Sequence, residues 1–331
     1  MKTKKPNIFE ERGNFQPYEY GDLIPYADAI NKSYWIVSEY NFTKDVQDFK
    51  TKLTDTERSI IERSMLAISQ IEVSVKNYWA KLYDRLPKPE VAIVGMTFAE
   101  SEVRHSRAYS ELLRVLGLQD SFEDLMEVPA IKGRVKYLKK YLDGTRARDN
   151  RVYTKSIILF SSFIEHVSLF SQFLIIMAFN KDKNVLSGMS NVVEATSLEE
   201  EVHGDFGAHL VSIIKRENPE WFDDEMTEMI QSACRKAYEA ECELVDWIYE
   251  EGELEFLPKE SVKEFIKNRF NMVLEKGDFP PIFDVDESLL GCTDWFEVQL
   301  RSSKEDDFFY KVPVSYTKGS QSITEDDLFD D

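Results

Sequence analysis

The chain has 331 residues, with 41 Lys and Arg against 61 Asp and Glu, for a formal net charge of −20. That balance argues against a nucleic-acid binder or a protein docked on an anionic membrane, since both depend on basic side chains meeting phosphates. Hydrophobic residues make up 43% of the chain, with only 13 Gly and 11 Pro, so the composition supplies a large core and few turns, and long helices are expected.

The N-terminal stretch MKTKKPNIFEERGNF has basic residues but no apolar run, so no secretory signal is expected in it. Residues 1–53 read as a mixed segment with aromatic clusters and short helical patterns. Thr54-Asp-Thr-Glu57 reads as a capping box. It opens a helix expected over about 54–84 that is broken by LPKPE. A second helix is expected over about 91–116, ending at Gly117, and a third over about 151–180. A fourth should cover about 185–215, before Pro219, with more helix at 222–251 and 259–275. Together these make the body of the protein, residues 54–290. After Pro280-Pro281 the pattern decays, and 291–331 is expected to be a flexible tail. The three cysteines, Cys234, Cys242 and Cys292, show no metal or redox spacing and fit a reducing, cytoplasmic setting.

Residues 157–179, IILFSSFIEHVSLFSQFLIIMAF, are long enough to span a bilayer. Glu165 and His166 stand at their centre, however, and an ionised acid in mid-bilayer is costly. A helix buried on all sides is the better reading.

Polar residues interrupt the apolar stripes of the four main helices. The first stripe is Met65, Ile68, Glu72, Val75, Trp79, Leu82, and the second is Phe98, Glu102, His105, Tyr109, Leu112, Leu116. In the third, Ile158, Ser162, Glu165, Leu169, Phe173 and Ile176 align; in the fourth, Val193, Thr196, Glu200, His203, Gly207, Leu210 and Ile214 do. Each helix therefore turns a carboxylate inward, and two add a His three residues later, on the same face.

Four buried carboxylates without partners would each cost several kcal/mol and repel one another. Two divalent cations would neutralise them, and carboxylates with one imidazole per ion suit iron or manganese. Taken singly, Ser197-Leu-Glu-Glu200 also reads as a capping box, and Glu165 as a satisfied core acid. Taken jointly, the order Glu, Glu-x-x-His, Glu, Glu-x-x-His is the di-metal carboxylate pattern of four-helix bundles. His166 and His209 fit no ligand position.

These residues resemble the small, radical-generating subunit of class I ribonucleotide reductase. The resemblance is carried by KSYW with Trp35, SQIEVSVKNYW with Glu72, FAESEVRHSRAY ending at Tyr109, FIEHVSLFSQF, and LEEEVHGDF. It implies an all-α, ferritin-like helical bundle with a dinuclear metal site between four core helices. Glu72, Glu102, His105, Glu165, Glu200 and His203 would be the ligands. Leu169 and Phe173 would form an apolar wall beside them.

The implied activity is that of a ribonucleoside-diphosphate reductase. A one-electron oxidant is generated and stored, then passed to the large subunit to make the thiyl radical that starts ribonucleotide reduction. Trp35 would be the near relay station, linked to His105 through Glu199, and Tyr316 the far station in the tail. Tyr109 stands where a radical-bearing phenol is found. The acidic, apolar-dotted end SITEDDLFDD would bind the large subunit. A homodimer is implied, and an activating flavoprotein is left open.

Many members carry Asp where Glu72 stands, Phe where Leu169 stands, and Asp where Glu199 stands. Glu at the first position resembles the subunits that use two Mn ions, with two Fe or mixed Mn/Fe as the alternative. Two other readings of the same ligand pattern are a ferritin-like storage protein and a ligand-binding di-metal oxidase.

Overall fold

The computed structural model describes residues 6–144 and 146–309. Twelve α-helices account for most of the described residues. Helices α1 (Ile24–Lys32) and α2 (Thr43–Thr51) belong to the N-terminal segment. That segment lies on the bundle, with α1 against the helices Pro89–Leu116 and Ser187–Glu217. It is pinned there by Ile8, whose backbone N–H donates to Glu217 (2.9 Å), and by Tyr20, whose hydroxyl donates to Glu217 (2.6 Å).

Helix α3 (Asp55–Ala80) opens on the expected capping box. The Glu57 N–H donates to the Thr54 hydroxyl, and the Thr54 N–H donates to the Glu57 carboxylate. Helix α4 (Pro89–Leu116) has proline in its first turn and ends on Gly117 at φ 75°, where a side chain would be strained. Helices α5 (Gln119–Glu123) and α6 (Pro129–Gly144) fill a stretch for which no element was expected.

The third long element is built from three pieces. Helix α7 (Asn150–Leu159) runs into a wide, π-helical segment, Phe160–Ser168, which continues as α8 (Phe170–Lys183). This whole apolar run is 94% buried inside the bundle over its most hydrophobic window, so it is a core helix of a helical protein. Helix α9 (Ser187–Glu217) passes straight through residues 197–200. Ser197 donates to the Glu194 carbonyl from mid-helix (2.8 Å), which removes the capping-box reading of that motif.

Helices α10 (Asp224–Ile248) and α11 (Lys259–Lys276) follow as expected. The expectation of an irregular tail from residue 291 needs correction: α12 (Asp294–Phe309) continues the helical body. Its Phe296 and Leu300, one turn apart, are buried, and Phe296 packs edge-on to Phe170 and Phe265. Two apolar residues are too few to register as a periodic stripe.

The central layer pairs α3 with α4, and α9 with the wide segment and α8. Two glycines allow the second pairing to be so close. A methyl group at Gly204 would overlap the His166 ring, and one at Gly207 would overlap the Ser161 side chain. The wide segment therefore lies directly on the backbone of α9, which brings Glu165 to the level of Glu200 and His203.

Candidate metal centre

Glu72 comes from α3, Glu102 and His105 from α4, Glu165 from the wide segment, and Glu200 and His203 from α9. All six are buried. Their ligand atoms form two groups, each within 4.8 Å: Glu72, Glu102, His105 and Glu200, and then Glu102, Glu165, Glu200 and His203. Glu102 and Glu200 belong to both groups, as bridging carboxylates between two ions would. His203 Nδ1 lies 3.2 Å from Glu102, 3.4 Å from Glu165 and 3.1 Å from Glu200; His105 Nδ1 lies 3.0 Å from Glu200.

Each imidazole is oriented from behind. His105 Nε2 lies 2.6 Å from Glu199, an acceptor that fixes the Nε2 proton there and turns Nδ1 toward the cluster. His203 Nε2 lies 2.9 Å from the Ser101 hydroxyl. That hydroxyl spends its own hydrogen on the Phe98 carbonyl (2.8 Å), so it accepts from His203. Trp79 Nε1 donates to Glu165 (3.1 Å), and Phe98 packs on the His203 ring at 4.2 Å. Ser101, Trp79 and Phe98 had no signature as partners in the sequence, because their roles depend on which helices meet.

The donor set fits a pair of hard or borderline cations. Both carboxylate oxygens of Glu72 are buried without a hydrogen-bond partner, and a buried acceptor left so is costly unless something positive meets it. Burial, and then the negative charge of Glu102, pushes the Glu72 carboxyl well above its ordinary range. Burial and Glu200 do the same to Glu165, and less strongly to Glu102. Burial works against ionising Glu200 too, but hydrogen bonds from Glu165, His105 and His203 hold it well below the usual range. Both imidazoles are raised despite burial, His105 by Glu199 and Glu200, His203 by Glu102, Glu165 and Glu200. The metal-free cluster thus holds protons that cations must expel.

A pH dependence follows. Cation binding tightens as pH rises, because the ligands must lose protons. The metal-free fold changes the other way. Carboxyls and imidazoles whose folded values lie above their unfolded ones stabilise at low pH, and that contribution fades as pH climbs through the folded values. Glu200, held low, loses its contribution in acid, but it is one group against five. The gain in Tm on adding Mn(II) should therefore be larger at about pH 8 than at about pH 6. Thermal unfolding with and without a chelator checks this, and an equal or reversed gain would contradict it.

Trp35 is buried and stacks on His105, with ring centroids 5.9 Å apart and planes 13° off parallel. The expected linkage through Glu199 takes a different form. Glu199 meets His105 and also receives Arg104 Nη1 at 2.9 and 3.2 Å, whereas the Trp35 indole N–H is buried without a hydrogen-bond partner. Arg104 was not singled out in the sequence. Its guanidinium lies 5.4 Å from the Trp35 ring centre and 4.7 Å from that of Tyr34. Tyr109 is buried one turn beyond His105, and burial, then the charge of Glu72, keeps its hydroxyl firmly protonated. Leu169 and Phe173 are buried as expected. Tyr316 lies outside the described residues.

His166, Glu201 and Asp205 form a third cluster of ligand-type groups. Arg269 already pairs with Glu201, and Lys276 with Asp205 at 2.9 Å, so cations of the protein itself neutralise it. Burial pushes the His166 imidazole down to about 4. His209 pairs with Asp22 (3.2 Å) on the surface side of α9.

An all-helical body whose central elements bring two Glu-x-x-His pairs and two lone acids into overlapping groups defines a ferritin-like protein with a carboxylate–imidazole cluster. The family model for the ribonucleotide reductase small chain matches residues 12–288, and the chain belongs to that family. It is 24% identical over 328 residues to the probable ribonucleoside-diphosphate reductase small subunit 048L of invertebrate iridescent virus 3, covering 95% of this chain and 86% of that one. A ribonucleotide reductase R2 subunit from Clostridium botulinum superposes with a TM-score of 0.76 at 16% identity, over 85% of this chain and 89% of the other. The dimanganese(II) NrdF of Streptococcus sanguinis does so with a TM-score of 0.71 at 13% identity, over 89% of this chain and all of the other. Those structural likenesses speak for the fold. Family membership makes the chain the small subunit of a ribonucleoside-diphosphate reductase, which works with a large subunit and implies a dinuclear metal centre.

Proposed function

We propose that the chain is the radical-generating small subunit, holding two Mn ions through Glu72, Glu102, His105, Glu165, Glu200 and His203. The observation that carries this is the pair of four-ligand groups sharing Glu102 and Glu200. Bound manganese, or iron in its place, would supply the one-electron oxidising chemistry.

The protein's own residues do the rest. The outer partners Glu199 and Ser101 orient the two imidazoles. Trp79, Phe98 and their aromatic neighbours keep bulk water away from the His203 side. Trp35, stacked on His105, is the near station for an electron crossing between ring faces, and Tyr316 in the C-terminal segment is the far one. The acidic end of that segment, with Leu328 and Phe329, orders on a groove of the large subunit. The subunit works as a homodimer in the cytoplasm, where its three free thiols stay reduced. An activating flavoprotein is compatible with this reading.

Metal content, radical spectra and variant turnover test it. Elemental analysis should find two manganese per chain. Tyr109→Phe should keep more than about half of wild-type turnover, because the oxidant is held at the metals; a fall to a few per cent at most, roughly the loss of a group needed in the reaction, would contradict that. A sharp organic radical in the electron paramagnetic resonance spectrum, absent from Tyr109→Phe, would place the oxidant on the phenol instead. Deleting 312–331 should abolish reductase turnover while metal oxidation persists. Unchanged turnover would show that residues 312–331 are not needed for coupling to the large subunit.

A further inference from the structure

The wide segment that carries Glu165 is held by two buried arginines. A π-helical stretch spaces its backbone hydrogen bonds differently from the flanking α-helix, so carbonyls at its end need other donors. Arg269 Nε donates to the His166 carbonyl (2.7 Å), one residue after Glu165. Arg134 donates to the Ser168 carbonyl and pairs with Glu241 of α10. Both guanidinium groups are fully buried.

Arg269 does more than satisfy a carbonyl. Its Nη2 pairs with Glu201, the residue after Glu200, and its Nη1 with Glu297 of α12 at 2.9 Å. The guanidinium lies 3.6 Å from the centre of the Phe170 ring, which fixes its plane. One rigid fork is therefore bonded to the neighbours of two cluster acids, Glu165 and Glu200, and to the helix that leads into the C-terminal segment. A guanidinium's planar donors move as a unit, so a change at one partner is felt at the others.

We infer that Arg269 is a positioning residue through which α12 sets the placement of Glu165 and Glu200. The inference rests on reading those two acids as metal ligands. Arg134, bonded to Glu241, Gln172 and the carbonyls of Ala67 and Ser168, serves as a second anchor, and among the described residues it bonds neither α9 nor α12.

The test is Glu297→Ala, at a partly exposed helical position where alanine keeps the helix. The comparison is Gln299→Ala, which removes a hydrogen bond from α12 to Glu194 of α9 (2.9 Å) but does not touch Arg269. Mn(II) binding to the metal-free full-length protein is measured by equilibrium dialysis, and backbone hydrogen exchange is followed over 160–168. Glu297→Ala should weaken Mn(II) binding by about tenfold, in the range of losses for groups that orient ligands, and speed exchange in that segment. Gln299→Ala should change neither, and both variants should keep the wild-type helical signal. Equal effects from the two variants, or none from Glu297→Ala while the wild type binds two Mn(II), would overturn the role of Arg269 and leave the ligand reading intact. Failure of the wild type to bind Mn(II) or Fe(II) would sink both.

Discussion

Glu200→Ala should leave the protein unable to retain either metal ion, whereas His203→Ala should empty one site of two. The difference follows from membership: Glu200 belongs to both four-ligand groups and His203 to one. Losing a shared carboxylate removes a donor from each ion at once and leaves the charge of the cluster short. It also takes one partner each from His105, His203 and Glu165, which all face Glu200. Losing a partner at a buried polar group costs about 1–3 kcal/mol at most, which a core of this size can absorb, so the variant should fold and be measurable. Metal content after dialysis should fall from two ions per chain to essentially none in Glu200→Ala, and to about one in His203→Ala. Turnover with the large subunit should drop at least about hundredfold in both, more than changes at the groups that only orient the ligands cause. Two ions retained by Glu200→Ala would refute the bridging assignment, and equal losses in the two variants would show that the groups do not act as two sites.

The inward acids were legible because α3, α4 and α9 are amphipathic enough for a 3.6-residue stripe to be traced, and a carboxylate within such a stripe is conspicuous. The third element was legible only as a buried helix. Nearly every residue from 157 to 179 is buried, so no polar face remains to reveal its phase. A regular stripe would place Ser162 inward, yet the wide segment leaves Ser162 half-buried and turns Ser161 against Gly207. Arg134 was hidden for a related reason: no element was expected over 117–150, and nothing local in PAIKGRVKYLKKYLDG marks its arginine as the partner of Glu241, over a hundred residues away. The same holds for Arg104, whose meeting with Glu199 depends on how α4 and α9 pack. Ligands at short sequence spacing can be read from one helix; the groups that orient them come from other helices, and of these only Glu199 was reached, through the family resemblance.

Trp35→Phe should separate metal chemistry from radical transfer. The indole N–H has no hydrogen-bond partner, so phenylalanine forfeits no polar contact. What it loses in packing is part of one ring, about 1–2 kcal/mol by comparison with other core truncations, and the stack on His105 and the nearby Arg104 are retained in kind. If Trp35 only filled space, turnover would therefore be close to wild type. Phenylalanine is far harder to oxidise by one electron than tryptophan, so a relay through this position fails even though the shape survives. The expected result is two metal ions per chain, unchanged metal oxidation, a Tm within a few degrees of wild type, and reductase turnover reduced at least about hundredfold. The His105–Glu199–Arg104 arrangement stays in place in this variant, so the loss would belong to the ring itself. Turnover above half of wild type would show that the electron takes another path, and the stacking of Trp35 on a cluster imidazole would then be packing alone.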